Sequence, residues 1–316
     1  MIPTLAVISV VVFVLVQLPP GDMVSANLDR LQNTGVEVSA EQIEALRAQY
    51  NLDDPLPVQY LRWIGGFLTG DMGYSIRFEQ PVNRLVWDRL GYTLAITIAS
   101  LLFTWVVALP IGIYSAVRQY SIGDYLFTLI GLIGLAIPNF MLAILLMFAG
   151  YTWFGVSVGG LFSPEFIDAP WSIARMLDLM AHIWIPMVVI GTAGTASTMR
   201  VMRANLLDEL KKPYVVTARA KGVKPLKLIL KYPVRIAINP FISTLGWLLP
   251  TLISGEAIVS IVLNLPTTGP LLLQSLLSQD MYLAGSFLML LSILTVVGML
   301  ISDLLLAWAD PRIRYE

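Results

Sequence analysis

The residues with the most chemical potential in this sequence are cations. Residues 200–235 hold ten Lys and Arg against two acids, Asp208 and Glu209, and the island at 211–235 reads KKPYVVTARAKGVKPLKLILKYPVR. Such a run can pair with carboxylates, phosphates or an acidic protein surface, but it cannot by itself activate a nucleophile. The second candidate is Glu256, the one acid well inside a long apolar run. Ionisable groups in membrane-length runs are costly and face a cavity or a partner. Glu256 is therefore read either as a pore or gate residue or as a structural acid, protonated or paired across a subunit interface. Other chemistry is missing from the sequence. There is no cysteine, which excludes disulfides, thiol catalysis and Cys-based metal sites, and the sole histidine, His182, cannot build a metal site alone. The chain has no Gly-Lys pair and so no GxxxxGK[ST] phosphate loop, no GxSxG elbow and no HExxH. No catalytic residue, metal ligand or cofactor-binding residue is assigned.

The elements that hold these residues are membrane helices. Hydrophobic residues make up 57% and charged residues 13% of the chain, with a mean hydropathy of +0.75. Soluble domains carry about 25% charged residues, so the composition is that of a membrane protein. Nothing in it favours nucleic acid, because there is no basic tail and no interleaving of aromatic and basic residues. About 20 apolar residues cross the hydrocarbon core. Six runs qualify: 2–18, 93–117, 125–149, 183–197, 236–263 and 284–302. The first is a retained helix rather than a secretory signal, since it lacks a basic start and a small-residue cleavage site. No Lys or Arg precedes it, which raises the expectation that the chain starts late or lacks a basic leader. Pro110, Pro138, Pro186 and Pro250 punctuate the runs. Neighbouring helices can satisfy the backbone groups that such breaks free.

Basic residues assign the topology. Arg118, the island, Arg312 and Arg314 fall on one side, expected to be cytoplasmic together with both termini. The opposite side receives 19–92, 150–182 and 264–283, which hold fourteen acids and seven bases. The 19–92 segment is too long for a structureless loop. Ser39 and Gln42 have capping-box spacing, so a helix follows with Ile43, Leu46 and Tyr50 on one face. A second helix is expected over 58–67, ended by Gly65-Gly66 and Gly70. The segment is either a cap packed on the spans or a contact surface for an external solute receptor.

In the island, Pro213 suits the first position of a short helix over 214–221, and Gly222 suits the left-handed position after it. Pro225 starts a second helix, with Leu226, Ile229 and Leu230 as an apolar stripe and Lys224, Lys227 and Lys231 as a basic one. Anionic lipid or plain positive-inside bias would account for the charge. Neither accounts for the small-residue run Thr217-Ala218-Arg219-Ala220 leading into Gly222, which would let another protein approach closely.

These residues resemble the coupling segment, or EAA loop, of permease subunits in binding-protein-dependent ABC importers. Thr217 to Gly222 reads TARAKG, similar to the dipeptide/oligopeptide branch. The resemblance extends along nearly the whole chain through Ile2-Pro3-Thr4-Leu5, Pro20-Gly21-Asp22, Glu44-Ala45-Leu46-Arg47, Gln59-Tyr60-Leu61-Arg62-Trp63, Gly70-Asp71-Met72-Gly73-Tyr74-Ser75 and Asp310-Pro311-Arg312-Ile313-Arg314-Tyr315. It departs in three places. Val216-Thr217-Ala218 stands where the general motif has Glu-Ala-Ala, the basic leader is absent, and Ser260 stands where many members carry a Glu before Pro-Gly-x-Gly. Here Thr267-Thr268-Gly269 follows Pro266, and the acid lies four residues earlier, at Glu256.

The resemblance implies an all-α membrane protein of six transmembrane helices, a type I ABC importer-like permease with a periplasmic helical insertion after the first helix. Its parts would be a first helix (1–18), the insertion (19–92), a five-helix core (93–309) with the coupling segment at 205–235, and a tail (310–316). The implied function is a non-catalytic, pore-forming permease in a bacterial inner membrane, importing di- or oligopeptides. Oligosaccharides, opines and nickel chelates are alternative cargoes. The implied partners are a second, similar permease (a heterodimer is expected), two cytoplasmic ATP-binding subunits that hold ATP and Mg²⁺, and an external solute-binding protein, all in membrane lipid. Tyr214, Thr217, Ala218, Arg219, Ala220, Lys221 and Gly222 would dock the ATPase. Two other classes remain open. An ion-coupled secondary transporter would need more intramembrane ionisable groups than Glu256 supplies, and a membrane enzyme or structural subunit would need turnover or assembly without ATP.

Overall fold

The computed structural model describes residues 2–19, 21, 24, 39–155, 159–245 and 256–309. The chain groups into two compact units, Met1–Thr93 with Thr267–Val296, and Leu94–Pro266 with Val297–Glu316.

The first unit contains α1 (Ile2–Gln17), α2 (Ala40–Gln49) and α3 (Leu56–Thr69), then the short antiparallel pair β1 (Tyr74–Ser75) and β2 (Gln80–Pro81). It also takes the first turns of α4 (Val82–Val117), all of α12 (Thr268–Leu277) and most of α13 (Met281–Ala309). The capping box forms as its spacing predicts: the Gln42 amide donates to Ser39 Oγ at 3.3 Å, and the Ser39 amide donates to Gln42 Oε1 at 3.1 Å. In α3 the expectation needs correcting at its end. The helix runs through Gly65-Gly66 and stops at Gly70, whose φ is +87°. The amides of Gly70 and Asp71 return to the carbonyls of Phe67 and Gly66, which closes the helix. Gln59, Trp63 and Phe67 recur every four residues and form its buried face. Trp63 and Phe67 pack into one core with Val12 and Phe13 of α1 and with Leu283 and Phe287 of α13. Ser75 Oγ donates to Asp280 Oδ2 at 2.5 Å, while Asp280 Oδ1 accepts the Leu283 amide at 3.1 Å and caps α13.

The second unit holds the rest of α4, then α5 (Ile122–Ala136), α6 (Asn139–Phe154), a 3-10 turn (Pro164–Phe166) and α7 (Ile173–Leu210). The short helices α8 (Pro213–Ala220), α9 (Pro225–Lys231), α10 (Pro233–Ala237) and α11 (Ala257–Val262) follow. The expected single run over 125–149 is broken: α5 and α6 meet at 99°. Pro138 supplies the cause. It has no N–H and it excludes helical geometry from the residue before it, and Ile137 is extended at φ −88°, ψ 120°. The expected short run over 183–197 is instead the middle of a 38-residue helix, about 57 Å long at 1.5 Å per residue. Pro186 lies within α7 and Pro110 within α4 without ending either helix. Thr104 Oγ1 donates to the Gly191 carbonyl at 3.0 Å. A Cβ on Gly191 would stand 2.6 Å from the Phe103 ring, so α4 and α7 pack this closely only because residue 191 has no side chain.

Among the described residues, three helices are individually long and apolar enough to cross a membrane, Val82–Val117, Ile173–Leu210 and Met281–Trp308, and the bent α5–α6 pair makes up to four. The first expected run is the 16-residue α1. In the fifth, 246–255, including Pro250, lies outside the described residues, as do most of 19–38 and the tail at 310–316.

Candidate functional site

The basic island folds as two short helices closed on a small core. Pro213 and Pro225 each start a helix in the first position, where a missing N–H costs nothing. Gly222 has φ +76°. Its amide donates to the Arg219 carbonyl at 3.0 Å and the Val223 amide to the Ala218 carbonyl at 3.3 Å, which is the Schellman pattern with Gly222 as its left-handed residue. Val215, Ala218 and Leu228 are buried together, flanked by Tyr214, Val223, Ile229 and Tyr232.

This packing redistributes the predicted docking residues. Ala218 is buried within the hairpin, where its small size lets α9 approach α8. Thr217, Arg219, Ala220, Lys221 and Gly222 are exposed and Tyr214 is half-buried. The expected apolar stripe on α9 also needs correction. Leu226 and Leu230 are exposed, Ile229 packs inward as expected, and Leu228, outside the expected stripe, is buried. The i, i+3 pair Val215 and Ala218 was the available signal, because it leaves one inner face on α8 for one apolar side chain of α9. Arg219, Lys221, Lys224 and Lys227 have no acidic partner among the described residues. They present an exposed cationic face with no acid paired to it among the described residues.

The hairpin is tied to α7 in two ways. Ile229 packs both on the hairpin core and on a second cluster built from Met202 and Leu206 of α7, Val234 and Ala237 of α10, and Ala116 of α4. In addition, Tyr214 donates its hydroxyl to Glu209 Oε2 at 2.5 Å, bridging the end of α7 and the start of α8. Burial and then the Glu209 carboxylate push the Tyr214 phenol above its usual range, so the proton stays on the donor. One turn and a half earlier, Arg203 Nη2 of α7 meets the buried Asp124 Oδ2 of α5 at 3.0 Å. The same oxygen accepts the Tyr120 amide at 3.0 Å, and Ser121 Oγ accepts the Asp124 amide at 3.2 Å. Sequence reasoning missed both links, since neither Glu209 with Tyr214 nor Asp124 with Arg203 sits at a spacing that any single helix makes adjacent.

Glu256 lies elsewhere in the second unit. It directly precedes α11, which packs on α6 and α7, and it has no exposed surface. Neither carboxylate oxygen has a hydrogen-bond partner among the described residues, nor does the hydroxyl of Ser260 one turn on. A buried, unpaired carboxylate is expensive, and the structure does not bring it to the basic hairpin. His182 is held locally, Nδ1 lying 2.8 Å from the Asp178 carbonyl.

Membrane-length helices joined to an exposed basic hairpin define a class, an α-helical membrane protein with a cationic surface element. A family described as "binding-protein-dependent transport system inner membrane component" matches residues 108–315, and the N-terminal part of such components matches residues 1–97. The chain belongs to this family, and it is a multi-pass inner-membrane ABC permease. It is 35% identical to the oligopeptide transport system permease protein AppB of Bacillus subtilis, over 99% of this chain and 96% of the relative. It is 33% identical to the glutathione transport system permease protein GsiC of Salmonella paratyphi A, over 100% and 96%. The fold is that of a chain in the inward-facing MetNI methionine ABC transporter, with a TM-score of 0.54 at 20% identity over 72% of this chain and 96% of that one.

Proposed function

We propose that this chain is a pore-forming permease subunit of an ATP-driven importer of di- or oligopeptides, itself non-catalytic. The observation that carries the reading is full-length relatedness to a named oligopeptide permease together with the exposed cationic face of α8–α9. In this reading Tyr214, Thr217, Arg219, Ala220, Lys221 and Gly222 form or hold the surface that docks a cytoplasmic ATP-binding subunit, with Ala218 packing the element from inside. ATP and Mg²⁺ reside on two such subunits, a second, similar permease completes the pore, and an external solute-binding protein delivers cargo to the 19–92 segment. The chain is organised as a first helix, that insertion, a core over 93–309 of a six-helix, type I arrangement, and a tail at 310–316. Both termini face the cytoplasm.

The hairpin drives the pore only if it binds the ATPase with different affinity in the inward and outward states, since equal affinity shifts nothing. The packing of Ile229 and the Tyr214–Glu209 bond support transmission of that difference into α7. Glu256 is assigned as a gate residue, its carboxylate reaching a partner group or solvent when α11 moves. The experiment is uptake of labelled Ala-Phe by proteoliposomes assembled from the permease pair, ATPases and binding protein. Uptake should require ATP and survive collapse of ion gradients. Uptake that follows an ion gradient without ATP would establish the secondary-transporter alternative instead.

A further inference from the structure

The first unit carries an open, solvent-facing cleft of about 710 Å³ that the coupling scheme does not use. Its wall includes Tyr50 after α2, Arg62 and Trp63 of α3, Asp71 and Tyr74 on the way into the β-pair, and Tyr282 at the start of α13. Four aromatic rings therefore face one space with one cation and one carboxylate. The polar groups keep hydrogen-bonding capacity. Arg62 Nη1 pairs with Asp54 Oδ2 at 2.8 Å, and the other guanidinium donors have no partner among the described residues. The Asp71 Oδ1 accepts the Gly73 amide at 3.0 Å, which leaves Oδ2 available. The Tyr50 phenol is pushed above its usual range by burial and then by Tyr74, Asp280 and Tyr282, so these groups converge on one neighbourhood.

The volume falls within the 300–1,000 Å³ of small-molecule sites. Arg62 suits a carboxylate through paired N–H donors. Asp71 and the phenol oxygens accept from an ammonium, and the aromatic faces take either that cation or an apolar side chain. A simple anion would use Arg62 and meet Asp71 unfavourably, and an apolar molecule would strand both charges. Both signs beside aromatic walls select a zwitterion with an apolar side chain.

We infer that this cleft is a binding site for a short zwitterionic peptide, held at its carboxylate by Arg62 and at its amine by Asp71. The placement of this unit outside the membrane rests on the transport reading above; the ligand chemistry does not. A bound peptide touching Tyr74 and Tyr282 bridges the two segments that the Ser75–Asp280 hydrogen bond joins.

The test is equilibrium binding of radiolabelled Ala-Phe to the full importer in nanodiscs without its solute-binding protein. Binding should saturate, and Ala-Phe amide and N-acetyl-Ala-Phe should each bind at least about tenfold more weakly, the scale of a lost charge-assisted hydrogen bond. Arg62→Gln should erase the preference for the free acid over the amide. Asp54→Asn, which breaks the same ion pair but keeps the guanidinium, should preserve it and so excludes a merely structural effect. Absence of saturable binding, or an acid preference that survives Arg62→Gln, overturns the site. ATP-driven uptake is scored in parallel with binding protein added, so the importer reading stands or falls separately.

Discussion

Replacing Gly222 separates two reasons why the residue after α8 is a glycine. Its φ is +76°, and a Cβ built there would meet nothing within 4 Å. Within this chain the whole cost of a side chain is therefore backbone strain, about 1–2 kcal/mol for an ordinary L-residue in the left-handed region. That lowers the ratio of ordered to opened hairpin about five- to thirtyfold. Because the hairpin core is only Val215, Ala218 and Leu228 with four flanking residues, the loss falls on a locally marginal element and leaves membrane insertion intact. Asn tolerates this conformation and a β-branched residue does not. Coupled uptake in proteoliposomes should thus fall in the order Gly222→Asn, Gly222→Ala, Gly222→Val, with Asn near the parent. Gly222→Asp has similar backbone tolerance but adds a negative charge beside Arg219 and Lys221, so any damage beyond Asn reports the charge of the docking face. If Asn is as damaging as Val, close approach by a partner rather than backbone hand requires the glycine, and the reasoning fails.

Three further outcomes follow from the packing. Tyr214→Phe removes the hydroxyl that Glu209 accepts, about 1 kcal/mol for a partly exposed pair; ATP hydrolysis should persist while peptide moved per ATP falls, and unchanged stoichiometry would show that the bond carries no coupling. Asp124→Asn leaves the partly exposed Arg203 without its counter-ion and should destabilise the protein by about 1–3 kcal/mol; thermal unfolding in nanodiscs reads this, and a neutral result would show that the pair does not fasten α5 to α7. Burial pushes the Asp280 carboxyl up, against the pull of Ser75, the Leu283 amide and Arg77. The folded state then holds a proton that the unfolded chain has released, so stability falls as pH rises from about 4 through the raised value. Asp280→Asn should flatten that slope, and an unchanged slope would assign it to another group.

The residues that were legible in the sequence are those whose partners lie close along the chain. The Ser39–Gln42 box, the proline starts of α8 and α9 and the left-handed Gly222 all depend on groups within five residues, and all stand where the spacing puts them. Hydropathy found the apolar runs but not their interruptions. Of the glycines expected to end α3, Gly70 does so, but the buried stripe of Gln59, Trp63 and Phe67 carries the helix through Gly65-Gly66. Pro138 was read as tolerated punctuation and instead turns the chain by 99°, whereas Pro186 leaves α7 unbroken. Tertiary context decides between these outcomes, and local pattern does not contain it. The inward turn of Leu228 and Ala218 was obscure for a related reason: a helix of seven or eight residues has too few turns for its apolar face to be read from periodicity alone.

In the proposed importer the exposed face of α8 meets an ATP-binding subunit. The chain has no cysteine, so Ala220→Cys places one unique thiol on that face. In proteoliposomes that retain uptake, a thiol-to-amine cross-linker should join it to the ATP-binding subunit, with a yield that changes between nucleotide-free and ATP-bound states. Sustained ATP-driven uptake with no adduct to that subunit in either state would contradict the account.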